Sequence, residues 1–408
     1  MKLLDGAKAG LYGIFLNYYC YYVLTGSFIP RGTVLFLALA LMCVGVDVLR
    51  QRFIHVGREI TCWLLYAAVS FVTTVLILGS SGDMGFISDI IKYVQRTAII
   101  MMVAYICQRE GSIRFGLRLM AVTAVALAVA VLSVTGNYRL KLDITSGADL
   151  SANDTGAILS FGCFAVLYAW GRRKQTSLVL SALKTAGVIC CITVIFLAGS
   201  RKSIGAVLVM AAVMLVLCFR DYSSTITLKK FAVLVVIGAA AYWFVSKNLM
   251  PLAEQTNLYD RLFGDNAVGA AQSDEGRLRL IRYALEDFRA HPLLGLGFNQ
   301  YVKHHGNYTH CTYVEPLACS GLVGLLYLYP YYLIVKKQIY LILRNPPGSY
   351  ARLKQKEMFT YLCMFLFVAV GIPYMYKDAP CIILGTFVAH QSLSLRELGE
   401  RGRSSGDY

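Results

Sequence analysis

The feature that most constrains this chain is a succession of apolar runs, each about the length needed to cross the hydrocarbon core of a bilayer. They lie near 9–28, 33–48, 60–79, 86–107, 115–135, 154–170, 178–198, 203–219, 231–245, 311–335, 358–372 and 379–392. With 57% hydrophobic and only 15% charged residues, the chain has too little polar surface for a soluble protein of this size. It reads as an all-α polytopic membrane protein of about twelve transmembrane helices. The first run lacks a small-residue cleavage site and reads as a retained span. Residues 1–408 form a single integral membrane domain, in which 247–310 is one large extracytoplasmic loop containing an amphipathic helix.

The formal charge of +16 follows the loops. Short loops rich in Lys and Arg are retained in the cytoplasm. Alternate loops carry them: Arg50, Arg52 and Arg58; Arg109 and Arg114; Arg172, Arg173 and Lys174; Arg220, Lys229 and Lys230; and Lys336 through Lys356. Both ends of the chain fall on that cytoplasmic side, with Lys2 and Lys8 at one and Arg396, Arg401 and Arg403 at the other. The charge is therefore topology, and nucleic acid is not an expected partner. The twelve cysteines sit almost entirely inside apolar runs, with neither a disulfide framework nor a paired C-x-x-C zinc spacing. The opposite side receives Pro30-Arg31, the loops 80–85 and 136–153, Arg201-Lys202, the 247–310 loop and Lys377-Asp378.

Three outer elements carry chemistry. Gly199-Ser200-Arg201-Lys202-Ser203 sets two cations between apolar runs, against the positive-inside bias. A guanidinium fork with a neighbouring ammonium suits phosphate oxygens; the plain alternative is a turn whose cations snorkel to lipid phosphates. In the long loop, Ser273-Asp274-Glu275 is a helix-start signal, predicting a helix over about 277–290 with Leu278, Ile281, Leu285 and Phe288 on one face. Such a helix lies on a membrane or protein surface. Arg277 would open it, where the dipole already favours an anion. Arg279 and Arg282 either add to that site or touch lipid head groups. His291-Pro292 should end the helix, and Gly295 and Gly297 permit a tight turn.

The third element is His310, at the point where the long loop returns to the membrane, followed by Thr312, Tyr313 and Glu315. A neutral imidazole can take a proton from a hydroxyl; alternatively His310 belongs to an interfacial aromatic belt with Tyr301, Tyr308 and Tyr313. His304 and His305 compete for the role from a polar stretch. Glu315 could orient His310, hold an acceptor sugar, or be an interfacial acid still reaching water. No D-x-D occurs on the outer side, so the expected site is metal-independent and needs no cofactor.

In these residues the chain resembles the bacterial O-antigen polymerase and O-antigen ligase superfamily of membrane glycosyltransferases. Gly199-Ser200-Arg201 looks like the family's Ser-Arg element. His291 through Gly297 is similar to its "P-L-x-G-x-G" turn, and His310 to Gly324 to its re-entry with Gly321 and Gly324 in place. Ser151-Ala152-Asn153 resembles a further short feature. Cys311 departs from the pattern, standing where the family usually has Asn.

The resemblance implies a GT-C-like fold in the bacterial cytoplasmic (inner) membrane, with its active site on the outer face. It implies an undecaprenyl-diphosphate-linked glycan as donor and another as acceptor, membrane lipid around them, and a chain-length regulator protein as a candidate partner. Arg201 and Arg277, with Lys202, would bind the diphosphate; His310 would deprotonate the acceptor hydroxyl; Glu315, Arg279, Arg282 and Tyr313 would be supporting residues. The expected enzyme is a polysaccharide polymerase making O-antigen, capsule or exopolysaccharide. Its alternatives are a ligase that passes the finished glycan to lipid A core or protein, and a flippase of the same lipids. Lys92, Arg96 and Lys184, within or near apolar runs, are what a flippase would use.

Overall fold

The structure, a computed structural model, describes residues 2–17, 36, 38–43, 57–78, 85–107, 109–133, 152–168, 178–197, 200–223 and 267–404. The 231–245 run, most of the first two runs, the loops 80–84 and 136–151, Gly199 and residues 247–266 of the long loop lie outside them.

The described elements are helical: α1 Lys2–Leu16, α2 Arg58–Leu78, α3 Gly85–Ile106, α4 Glu110–Leu132, α5 Ala152–Tyr168, α6 Leu178–Leu197, α7 Arg201–Ser223 and α8 Ala267–Ala290. After them come the short α9 Gln300–His305 and α10 Glu315–Ser320, then α11 Leu325–Arg344, α12 Tyr350–Ala369 and α13 Asp378–Ser404. Among the described residues four helices are long and apolar enough to cross a membrane: Arg58–Leu78, Glu110–Leu132, Val179–Phe196 and Glu315–Arg344. A shorter apolar helix runs over Thr155–Tyr168. Spans satisfy their backbone groups internally, which is why the described apolar runs are helical, 311–335 alone among them being interrupted.

Small residues set the packing, since apolar side chains gain little by leaving lipid and close backbone approach has to supply the attraction. A Cβ on Gly116 of α4 would lie 2.2 Å from the Tyr12 ring of α1, and one on Gly162 of α5 2.3 Å from Ala124 of α4. One on Gly205 of α7 would lie 2.6 Å from Phe367 of α12. In this way α1, α4, α5, α7 and α12 form one flank of the bundle, while α13 lies along α3 and α11 along α2. Between α2, α3 and α11 an aromatic cluster fills the core: Tyr66 and Tyr93 meet edge to face at 5.4 Å, and both lie against Phe298 and Tyr327.

The sequence reads 311–335 as one continuous span, but the structure breaks it. α10 ends at Ser320, residues Gly321–Gly324 form a tighter 3₁₀ turn, and α11 then runs to Arg344. The break follows from Gly321, whose φ of +57° and backbone contact with Pro292 and Leu293 hold it out of the α-helical region.

Candidate active site

α8 is longer than its start signal suggests. It begins at Ala267, so Ser273-Asp274-Glu275 lies inside the helix, carried through by the alanines at 267, 270 and 271. Arg277 consequently sits near mid-helix rather than at the positive end of the dipole. The packed face also differs from the expected one. Arg277, Leu280, Ile281, Ala284, Asp287 and Phe288 are half-buried or buried, whereas Leu278 is 56% and Leu285 39% exposed. Ala284, fully buried, lets α8 approach α10 and meets Tyr301, Ala318 and Cys319. Arg277 is thereby turned inward, while Arg279 and Arg282 stay exposed.

Beyond α8 the Pro292–Gly297 turn locks onto α10. Leu296 N donates to Ala318 O at 3.1 Å, Gly297 N to Cys319 O at 2.8 Å, and Leu322 N returns a bond to Pro292 O at 2.8 Å. Gly295, at φ +68°, has no room for a side chain: a Cβ there would lie 2.5 Å from Cys319 C and Ser320 N. The turn is fastened on its far side as well, by Phe298 N donating to Thr74 Oγ1 of α2 and Asn299 Nδ2 to Asp89 Oδ2 of α3. Glycines 26 positions apart in the sequence, Gly295 and Gly321, are thus two halves of one contact.

On this platform sits His310, in the left-handed region at φ +58°. A non-glycine residue there is uncommon and is kept by its surroundings. Its neighbours supply the hold. Thr309 N donates to Glu315 Oε2 at 2.6 Å, Thr309 Oγ1 bonds Cys311 O at 3.1 Å, and Thr312 N donates to Ala369 O at 3.0 Å. The imidazole lies edge-on to Tyr308 at 4.7 Å and makes no hydrogen bond to any described residue. Glu315 is fully buried and binds the loop that carries His310, not its ring; its second oxygen accepts from Tyr376 Oη at 3.2 Å. Tyr313 points its hydroxyl at Leu366 O of α12, 2.7 Å away.

The Ser-Arg element is the start of α7. Ser200 is buried in the position before the helix; its carbonyl accepts from Ser203 N and Ile204 N, both at 3.1 Å, and its hydroxyl meets Ser203 Oγ at 2.7 Å. Gly156 of α5 makes room for this pair, since a Cβ there would lie 2.6 Å from Ser203 Oγ. Arg201 and Lys202 occupy the first turn, so the anion-favouring helix end belongs to them and not to Arg277. Lys202 Nζ donates to Gly371 O in the α12–α13 loop.

The three elements meet electrostatically at His310. His310 titrates at about 4, below the ordinary 6.5, because burial disfavours its charged form and because Arg277 and Lys202 add positive potential. Cations from α7 and α8 therefore act on one imidazole, although the three residues are far apart in sequence.

The rival histidine has another occupation. His305 Nε2 pairs with Asp287 Oδ2 at 2.8 Å, its ring stacked on Tyr283 and tilted against Tyr301, which fastens α9 to α8. Two cations read as transport features are in ion pairs: Lys92 with Asp89 at 3.4 Å, and Arg96 with Asp378 at 2.9 Å. Sequence reasoning missed Tyr376, Thr309 and the loop 370–378, whose signal was no more than a short polar interval at the outer level around Lys377-Asp378.

Residues 186–329, which run from within α6 through α7, α8, the Pro292–Gly297 turn and α10, match the family described as O-antigen ligase. No curated protein matches the chain.

Proposed function

We propose that this chain, a member of the O-antigen ligase and polymerase superfamily through residues 186–329, polymerises lipid-linked oligosaccharide repeats on the outer face of the bacterial cytoplasmic membrane. The donor is an undecaprenyl-diphosphate-linked glycan and the acceptor is the end sugar of another. The observation that carries the reading is the half-buried His310, held in the left-handed region beside the loop that also binds Lys202, with the positive charge of Arg277 and Lys202 acting on its ring.

The chemistry assigns each group a task. The acceptor hydroxyl attacks the anomeric carbon of the donor and gives its proton to His310; the anomeric C–O bond to the diphosphate breaks as the glycosidic bond forms. Negative charge grows on the leaving diphosphate. Arg201 and Lys202 at the N-terminus of α7, with Arg277 on the inner face of α8, would stabilise that charge more in the transition state than in the bound donor. The diphosphate also tunes the base. A histidine at about 4 is neutral at pH 7 but weakly basic, and the donor's negative charge would offset the cations and raise its basicity as substrate arrives. Glu315 and Tyr313 hold the loop around His310 through the bonds already described, and Arg279 and Arg282, exposed on α8, face lipid head groups. The chain works as one integral membrane unit with 247–310 outside, in which a chain-length regulator is a candidate partner.

The family description favours a second reading, a ligase that transfers finished glycan to lipid A core or protein. Donor and leaving group would be unchanged, so the acceptor alone separates the two. The test is glycan length on gels from a deletion strain complemented with wild type, His310→Ala, Arg201→Ala or Arg277→Ala, with membrane abundance checked. Single-repeat glycan from well-inserted variants supports polymerisation. Full polymer left on its lipid carrier in the deletion strain identifies the ligase, and full ladders from His310→Ala remove the base assignment.

A further inference from the structure

The family match ends at residue 329, yet the loop joining α12 to α13 touches both the α7 and the His310 elements of the site. Gly371 O accepts from Lys202 Nζ, and a side chain at Gly371 would run into that lysine, with its Cβ 2.5 Å from Lys202 Cε. Ile372 O accepts from Thr312 Oγ1, whose oxygen in turn accepts from Tyr374 N at 2.9 Å. Tyr376 Oη donates to Glu315 Oε1, whose other oxygen holds Thr309 N. The far end is pinned by Arg96 of α3, which bonds Met375 O at 3.3 Å and Asp378 Oδ1 at 2.9 Å. Thr309 and Thr312 flank His310, whose own ring has no hydrogen bond to a described residue. Its placement therefore depends on what holds its neighbours.

We infer that the 370–378 loop is the positioning element for His310, with Tyr376 acting through Glu315 and the Arg96–Asp378 pair anchoring the loop. The inference rests on His310 being the base of the proposed transfer. A left-handed histidine can be kept in one orientation only if the chain on both sides is fixed, and the loop fixes both sides: Thr309 by way of Glu315, and Thr312 directly. Arg96 makes that hold independent of α12, since it ties the loop to α3. The ion pair between mid-α3 and the start of α13 then has a task in transfer rather than in transport.

The experiment uses the full-length protein in proteoliposomes with a synthetic lipid-diphosphate oligosaccharide as donor and acceptor. It compares wild type, Tyr376→Phe, Asp378→Asn, Glu315→Gln, the double variant Glu315→Gln with Tyr376→Phe, and His310→Ala. Tyr376→Phe and Asp378→Asn should each lower kcat about tenfold, as a misplaced catalytic group does. KM for the donor should change less than kcat, because Arg201 and Lys202 keep their places in the first turn of α7 and Arg277 its place on α8. The acid limb of the pH–rate profile should move upward, since a loosened loop admits water to His310 and relieves its desolvation. The double variant should lose no more than Glu315→Gln alone, because Tyr376 acts only through Glu315. A smaller amount of correctly folded protein would lower the rate without moving the pH limb, so an unmoved limb overturns the inference. Should Tyr376→Phe fail to insert, Asp378→Asn tests the same loop from its other end. If His310→Ala is inactive while both loop variants keep wild-type kcat and pH profile, the loop assignment falls and the base assignment stands. A fully active His310→Ala removes the base assignment itself.

Discussion

Gly295→Ala is the substitution whose cost the structure fixes most closely, and Gly306→Ala is its internal control. Both glycines sit in the left-handed region, at φ +68° and +74°. A Cβ in that region costs roughly 1–2 kcal/mol. At Gly306 nothing lies within 4 Å of the added carbon, so that is the whole penalty. At Gly295 the carbon would lie 2.5 Å from Cys319 C and Ser320 N and 2.6 Å from Gly321 N. These are backbone atoms that cannot swing aside as the end of a side chain can. Overpacking of this kind costs about 1–3 kcal/mol more. Backing the turn away stretches Leu296 N to Ala318 O and Gly297 N to Cys319 O, each worth about 1 kcal/mol.

Because backing away replaces the overlap rather than adding to it, Gly295→Ala should destabilise by about 2–5 kcal/mol, against about 1–2 for Gly306→Ala. Thermal unfolding of the two variants in lipid nanodiscs, followed by tryptophan fluorescence, is the direct measurement. The Tm loss at 295 should be two to three times that at 306, at about the ratio of the two penalties. Gly295→Ala should also shorten the glycan ladder, because the turn holds α10 and α10 carries Glu315. Equal Tm losses at the two positions would mean that the turn does not rest on the Cys319–Gly321 backbone, and the interlock of the two glycines would be refuted.

Other outcomes follow from the same geometry. His310→Asn keeps a residue that tolerates the left-handed region while removing the base, so abundance and Tm should match wild type and only single-repeat glycan should form; a normal ladder would exclude the base role. For wild type, kcat/KM should stay level from neutral pH down to about pH 4 and then fall, since the proposed transfer needs neutral His310 and its pKa is lowered. Lys202→Met or Arg277→Met removes a positive neighbour, so the acid limb should climb toward 6.5; a limb that stays put would show that neither cation acts on the imidazole. Arg279→Gln with Arg282→Gln, both exposed, should leave ladder length unchanged on the same gels in which Arg277→Gln abolishes polymer. Loss of polymer from the exposed pair would place the diphosphate on the outer face of α8.

Helices were legible because hydropathy is a property of the residue alone. The described parts of the runs at 60–79, 86–107, 115–135 and 178–198 are α2, α3, α4 and α6, with ends shifted by a few residues. What sequence did not show was the break in 311–335, since Gly321 interrupts the helix only through Pro292 and Leu293, which arrive from another segment. The start of α8 was misplaced for a similar reason. Ser273-Asp274-Glu275 has the composition of a cap, but the alanine-rich stretch before it is also a good helix former, and local composition does not decide between a cap and an interior position.

The candidate site divides along the same line. His310, Arg277, Arg201 and Lys202 stood out because each is polar or charged where an apolar or cytoplasmic residue was the default, a judgement that needs no partner. Tyr376 gave no such signal and Asp378 only the weak one of the outer pair Lys377-Asp378, for a tyrosine and an acid near a membrane surface are ordinary until their partners are known. The error over Arg277 is informative. Its assignment to the helix end was wrong, yet its inward placement has a firmer basis in Ala284, because the one small residue on that stretch of α8 decides which side meets α10. Of the apolar stripe Leu278, Ile281, Leu285 and Phe288, the second and fourth are half-buried while Leu278 and Leu285 are exposed. Hydrophobicity alone ranks the two leucines above Ala284, but close approach requires the smaller residue, and it is this close approach that sets Arg277 on the packed side of α8. Replacing Ala284 by Leu should accordingly weaken transfer through Arg277 without touching a charged group, and should move the acid limb upward as Arg277→Met does; a limb that remained at about pH 4 would show that Arg277 is held by something other than the α8–α10 contact.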